Sequence, residues 1–207
     1  MYNCIVFDID GTLLDTEAAL VSSLQRLVLE ELNRNLTPSE LRFAFGIPGE
    51  DTLRRLGVPD LRRSCQKWIE YFNECSHNVR LFDGIQDTLA RLFDEGILMG
   101  IVTSKTREEF TYSFSPFGLD DYFRVVVCAD DTEQHKPCPE PVLKFLELAG
   151  VDKSKTMYVG DTAYDAECAL GAGVAFGLAL WGAGKSEGIP ATHVLQNPAQ
   201  ILELVEK

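Results

Sequence analysis

Cys4-Ile5-Val6-Phe7-Asp8-Ile9-Asp10-Gly11-Thr12-Leu13-Leu14 decides the reading of this chain. Its first four residues are apolar without a break, the pattern of a strand buried on both faces of a parallel sheet. Two acids one residue apart follow, and a glycine turn closes the run. In open α/β sheets, ligands bind beyond the carboxyl ends of the strands. Two carboxylates placed there repel each other unless a cation or a proton separates them. A bare pair of aspartates would read as a solvated turn. The full Asp-Ile-Asp-Gly-Thr-Leu-Leu directly after a strand argues against that, because motif matches are judged by context.

Outward from this stretch, short apolar runs alternate with helical patterns. The runs are Ile97 to Val102, Val125 to Cys128, Met157-Tyr158-Val159 and Val174 to Leu180. Helical stretches such as Ile85 to Glu95, Arg107 to Ser115 and Glu140 to Ala149 lie between them. Repeated βα units predict an α/β fold, a doubly wound parallel sheet with right-handed crossovers. One interval breaks the rhythm: from about Leu14 to Phe82 no strand is expected. There Leu20, Leu24, Leu27 and Val28 share one helix face. Thr37-Pro38-Ser39-Glu40 is a helix start, with a capping threonine, proline in the first turn and Glu40 three residues on. A further helix is expected from Asp60 to near Cys75. The expected division is therefore a core of residues 1–13 and 83–207, with an all-helical insert of residues 14–82.

The chain has 207 residues, 45% of them apolar and 25% charged, which suits a folded globule and excludes disorder, collagen and coiled coil. With 19 basic residues against 32 acidic ones the formal charge is −13, so no affinity for nucleic acid or anionic lipid is expected. Cys4, Cys65, Cys75, Cys128, Cys138 and Cys168 show neither a CxxC nor a zinc spacing. They read as reduced thiols, mostly small buried hydrophobes, in a cytoplasmic protein. No export signal is read after Met1, and the longest uncharged run, Cys168 to Gly184, is short and glycine-rich for a membrane helix.

Four motifs fall in order along the core: Asp8 to Leu14, then Ile101-Val102-Thr103-Ser104-Lys105, then Lys136-Pro137-Cys138-Pro139-Glu140-Pro141, then Gly160-Asp161-Thr162-Ala163-Tyr164-Asp165. Singly, Thr103 reads as a helix cap, Lys136 as a loop lysine, and Asp161 and Asp165 as a turn acid and a cap. Together they resemble the four motifs of the haloacid dehalogenase superfamily, most of whose members are phosphatases. Gly173 to Gly184 resembles its last strand and glycine-rich turn. The resemblance implies a Rossmann-like core, with the insert as a helical cap of the family's first type. The cap segment Phe45-Gly46-Ile47-Pro48-Gly49-Glu50 resembles that of phosphoglycolate phosphatases and β-phosphoglucomutases.

What the resemblance implies for the site is specific. Asp8 is the expected nucleophile and Asp10 the acid and base. Thr103, Ser104 and Lys136 would hold the phosphoryl oxygens. Asp8, Asp161 and the Asp10 carbonyl would hold Mg²⁺, with Asp165 just outside. Gly49 and Arg54 are candidates for substrate contact in the cap, although Arg54 and Arg55 also read as surface charges of a helix. Lys105 and Arg107 carry the same ambiguity. Trp68, Tyr71 and Phe72 lie at helical spacing and read as cap core or as its seam with the main domain. The expected activity is Mg²⁺-dependent hydrolysis of a small phosphorylated metabolite through an aspartyl-phosphate, by a monomer or homodimer similar to phosphoglycolate phosphatases. Phosphomutase and inorganic pyrophosphatase share the same core residues. A non-catalytic regulator on the fold would be expected to lose Asp8, Asp10, Lys136 or Asp161, and all four stand.

Overall fold

The computed structural model describes residues 1–183 and 187–206. Six strands form one parallel sheet: β1 Cys4–Phe7, β4 Leu98–Val102, β5 Val125–Val127, β6 Thr156–Gly160, β7 Ala175–Ala179 and β8 His193–Leu195, in the order β5-β4-β1-β6-β7-β8. β1 lies between β4 and β6, with Phe7 level with Ile101 and Val159. The four residues of β1 are buried. Ile5 and Phe7 join the core under α5 (Ile85–Asp94) and α6 (Arg107–Ser113). Cys4 and Val6 face the opposite way, onto α7 (Glu140–Ala149) and α8 (Ala163–Ala172). An uninterrupted apolar run has this physical cause, since successive side chains need a partner on each face.

The insert builds a core of its own. α1 (Glu17–Leu32), α2 (Pro38–Leu41), α3 (Gly49–Leu56) and α4 (Leu61–Glu74) bury Leu24, Leu27, Leu41, Leu53 and Tyr71 together. The Thr37–Glu40 capping box is formed at the start of α2, and Asp60 caps α4. The expectation of no strand between Leu14 and Phe82 is corrected. β2 (Leu14–Asp15) and β3 (Arg80–Leu81) pair antiparallel where the chain leaves and re-enters the sheet domain. Two residues are too few to show any alternation in sequence. Edge strand β8 was equally hidden, being three residues with one exposed apolar side chain, Val194. Of the stretch Gly173 to Gly184, β7 and the short helix α9 (Leu180–Ala183) are described, while Gly184 lies outside the described residues.

Candidate active site

The four motifs converge at the carboxyl edge of β1, β4 and β6. The Asp8 amide donates to the Val159 carbonyl at 2.9 Å, which carries Asp8 one residue past the strand. The chain then turns tightly, with the Gly11, Leu13 and Leu14 amides closing onto Leu14 and Ile9 carbonyls. Gly11 has φ +80°, and a Cβ there would stand 2.3 Å from an Asp161 carboxylate oxygen. The motif therefore needs glycine both for its backbone and for the approach of Asp161. Thr12 Oγ1 donates to Asp161 Oδ1 at 3.1 Å. The Trp181 indole donates to the Thr12 carbonyl at 2.9 Å, holding the turn from α9.

Lys136 is buried at the centre of the site. Its ammonium lies 2.9 Å from Asp8 Oδ1, 2.7 Å from Asp165 Oδ1 and 2.9 Å from the Tyr158 hydroxyl. Asp165 is fully used: Oδ1 takes Lys136 and Tyr158, and Oδ2 accepts from the Thr162 amide and hydroxyl in the capping box of α8. Its place is thus behind the lysine, fixing it. In the sequence Tyr158 stands only as a strand residue. The signal was present: a tyrosine in an aliphatic strand buried on both faces needs a partner for its hydroxyl.

Asp10 separates from this group. Its Oδ2 pairs with Lys105 Nζ at 2.9 Å, and its Oδ1 is buried without a hydrogen-bond partner. Both residues line a cavity of about 90 Å³ between sheet domain and insert, together with Asp8, Ser104, Gly49, Trp68, Phe72 and Tyr112. Ser104 Oγ donates to the Gly46 carbonyl of the insert at 2.8 Å. Thr103 is buried, and its hydroxyl accepts from the Lys105 amide at 3.2 Å. Gly49 packs towards Trp68 in the cavity wall. Arg54 is not brought to the site: it pairs with Glu50 and Asp51 on the exposed side of its own helix. Glu at i−4 and Asp at i−3 are the usual helical partners of arginine. Tyr71 belongs to the insert core, whereas Trp68 and Phe72 reach the seam.

The electrostatics suit a divalent cation. Carboxylate oxygens of Asp8, Asp161 and Asp165 lie within 4.8 Å of one another, all buried. Burial pushes the Asp8 carboxyl up to about 7, reinforced by Asp165 and Asp10 and opposed by Lys136. Burial, with Asp165 and Asp8 beside it, holds Asp161 well above the usual carboxylate range. Four carboxylates and two ammonium groups leave a formal excess of two negative charges in this ion-paired group. One divalent cation carries the charge that balances it. Hard oxygen donors are the chemistry that Mg²⁺ takes.

Comparison with known proteins agrees. The family described as haloacid dehalogenase-like hydrolase matches residues 5–179. A protein of Caldanaerobacter subterraneus subsp. tengcongensis, provisionally named pyrophosphatase PpaX, is 37% identical over 172 residues, which span 82% of this chain and 78% of that one. Pyrophosphatase PpaX of Halalkalibacterium halodurans is 29% identical over 98% of this chain and 96% of its own. The crystal structure of a Lactobacillus plantarum protein, provisionally named phosphoglycolate phosphatase, superposes with a TM-score of 0.89 at 28% identity, covering 99% of both chains.

Proposed function

The chain belongs to the haloacid dehalogenase-like hydrolase family and is a phosphatase of it, and we propose that it hydrolyses a small phosphorylated metabolite with Mg²⁺ through an aspartyl-phosphate on Asp8. The observation that carries this reading is the buried Asp8–Lys136–Asp165 chain set beside Asp161, with Asp8 and Asp10 both lining the cavity.

In the first half-reaction an Asp8 carboxylate oxygen attacks phosphorus as the bond to the leaving oxygen breaks. Asp10, as the acid, gives its proton to that oxygen. In the second, Asp10 as carboxylate takes a proton from water, the water oxygen bonds to phosphorus, and the phosphorus–Asp8 bond breaks. Lys136, with the Thr103 hydroxyl and Ser104 amide, holds the phosphoryl oxygens and stabilises charge in the transition state. All three Lys136 protons are engaged here, so it exchanges its Asp8 contact for a phosphoryl oxygen. Mg²⁺ would be held by Asp8, Asp161 and the Asp10 carbonyl, with Asp165 outside, and would supply the positive charge that lets a phosphate dianion approach these acids.

The charge and the thiols fit a cytoplasmic metabolite enzyme, monomer or homodimer: the chain is strongly acidic, its six cysteines are free, and no described helix is long and apolar enough to cross a membrane. For the substrate, the segment Gly46–Gly49 favours a phosphoglycolate-like ester. The names of the curated relatives favour pyrophosphate as a second reading. Phosphate release from 2-phosphoglycolate, pyrophosphate, p-nitrophenyl phosphate and β-glucose 1-phosphate tests both. The highest kcat/KM names the substrate class. Conversion of β-glucose 1-phosphate to its 6-phosphate without phosphate release would replace hydrolysis by mutase chemistry.

A further inference from the structure

The two lysines of the site differ in how their protons are placed. An ammonium group has three N–H donors. Those of Lys136 meet three acceptors, Asp8, Asp165 and Tyr158. Lys105 has one ion-pair partner among the described residues, Asp10 Oδ2. Its side chain is only 13% exposed, and its ammonium stands 5.3 Å from the Phe72 ring of the insert. It is the one cation among the described residues lining the cavity that Asp8 and Asp10 face. Beside it, Asp10 Oδ1 is buried with no partner. Donors and an acceptor are thus left open at one place, on the leaving-group side of the nucleophile.

We propose that Lys105 determines specificity by binding a second anionic group of the substrate, one or two bonds beyond the leaving oxygen. The inference rests on the phosphatase reading and goes further by naming the substrate class. With phosphorus at Asp8 and the leaving oxygen at Asp10, whatever that oxygen carries lies against the partner of Asp10, which is Lys105. The cavity is small, about 90 Å³, and pockets for drug-sized ligands are several times larger. The second charge must therefore follow closely. Aliphatic and aromatic walls from Leu20, Ile69, Trp68 and Phe72 lower the local dielectric and strengthen a charged contact there. A lysine is a point charge with rotatable donors, so it accepts a carboxylate or a phosphate alike.

The test is the selectivity ratio, kcat/KM for a substrate with a second anion divided by kcat/KM for p-nitrophenyl phosphate. Two arms, 2-phosphoglycolate and pyrophosphate, separate carboxylate from phosphate as that anion. In Lys105→Met the ratio for the preferred arm falls at least about tenfold, the factor that one charge-assisted hydrogen bond of about 1.4 kcal/mol carries. Lys105→Arg, which keeps the charge, retains most of the ratio. Circular dichroism verifies folding, and Lys105→Gln replaces Lys105→Met if the latter fails to fold. An unchanged ratio in the uncharged variant, or an equal fall in Lys105→Arg, overturns the proposal. A wild type that cleaves p-nitrophenyl phosphate without favouring either arm overturns it too, leaving the phosphatase reading intact. A wild type that cleaves none of the three overturns the phosphatase reading instead.

Discussion

Replacing Tyr158 by Phe removes one oxygen atom and tests how the catalytic lysine is held. The hydroxyl accepts from Lys136 at 2.9 Å and lies 3.0 Å from the Val102 carbonyl and 2.9 Å from Asp165 Oδ1. Burial, with Asp165 and Asp8 nearby, pushes the phenol well above its ordinary range, so it keeps its proton and acts as donor and acceptor at once. The ring of the variant can keep its packing against Phe176, 6.3 Å between centroids. One Lys136 proton is then left without an acceptor in a site where no water is expected to replace it. Hydrogen bonds to charged groups contribute about 1.5–3 kcal/mol, and a buried donor left unpaired costs about as much as it loses. We therefore expect a loss of about 2–3 kcal/mol in stability, a fall of roughly 4–12 °C in Tm for a chain of this length. kcat should fall about tenfold or more, since about 1.4 kcal/mol of lost transition-state stabilisation does that. Thermal melts by circular dichroism and steady-state kinetics on p-nitrophenyl phosphate give both numbers. A Tm within about 1 °C of wild type together with kcat within about twofold would refute the reasoning, because hydrogen bonds to a charged group are not that weak.

Gly182→Ala should be severe although it lies outside the four motifs. Its Cβ would stand 1.6 Å from the Gly11 carbonyl oxygen, so backbone must move, at a cost of about 1–3 kcal/mol. The turn carrying Asp10 shifts with it, and a melt beside a kinetic assay should show activity falling more than stability. Metal and pH should be linked through Asp8 and Asp161. Their folded carboxyls titrate above the ordinary range, Asp8 at about 7. Without metal the folded state therefore holds protons that the unfolded chain releases near pH 4, and stability falls as pH rises from there through about 7. Mg²⁺ replaces those protons, so the rise in Tm on adding it should be larger at about pH 8 than at about pH 5.5. An equal rise at both would argue against these carboxylates as the metal ligands.

The core strands and the four motifs could be read from sequence because both obey short-range rules. A strand buried on both faces reads as a largely apolar run, and Asp8 and Asp161 each directly follow one. What escaped was long-range or very short. The β2–β3 pair spans two residues on each side, below the length at which alternation exists. Tyr158 matters because of a partner 22 residues away in sequence, Lys136, and no local pattern reports that. Lys105 is legible as a candidate beside the second motif, but its pairing with the distant Asp10 is not. Arg54 shows the converse case. Its neighbours Glu50 and Asp51 already offered the local partners that it takes, and that spacing outweighs its place beside the cap segment. The segment itself was placed by resemblance, and Gly46 contacts the core through Ser104.

The most direct test of the account is phosphate release from p-nitrophenyl phosphate by wild type and Asp8→Asn, each with Mg²⁺ and with EDTA. The substitution preserves size and removes the nucleophilic charge that Lys136 faces. Release is expected only from wild type with Mg²⁺. Full turnover by Asp8→Asn, or by wild type in EDTA, would contradict it.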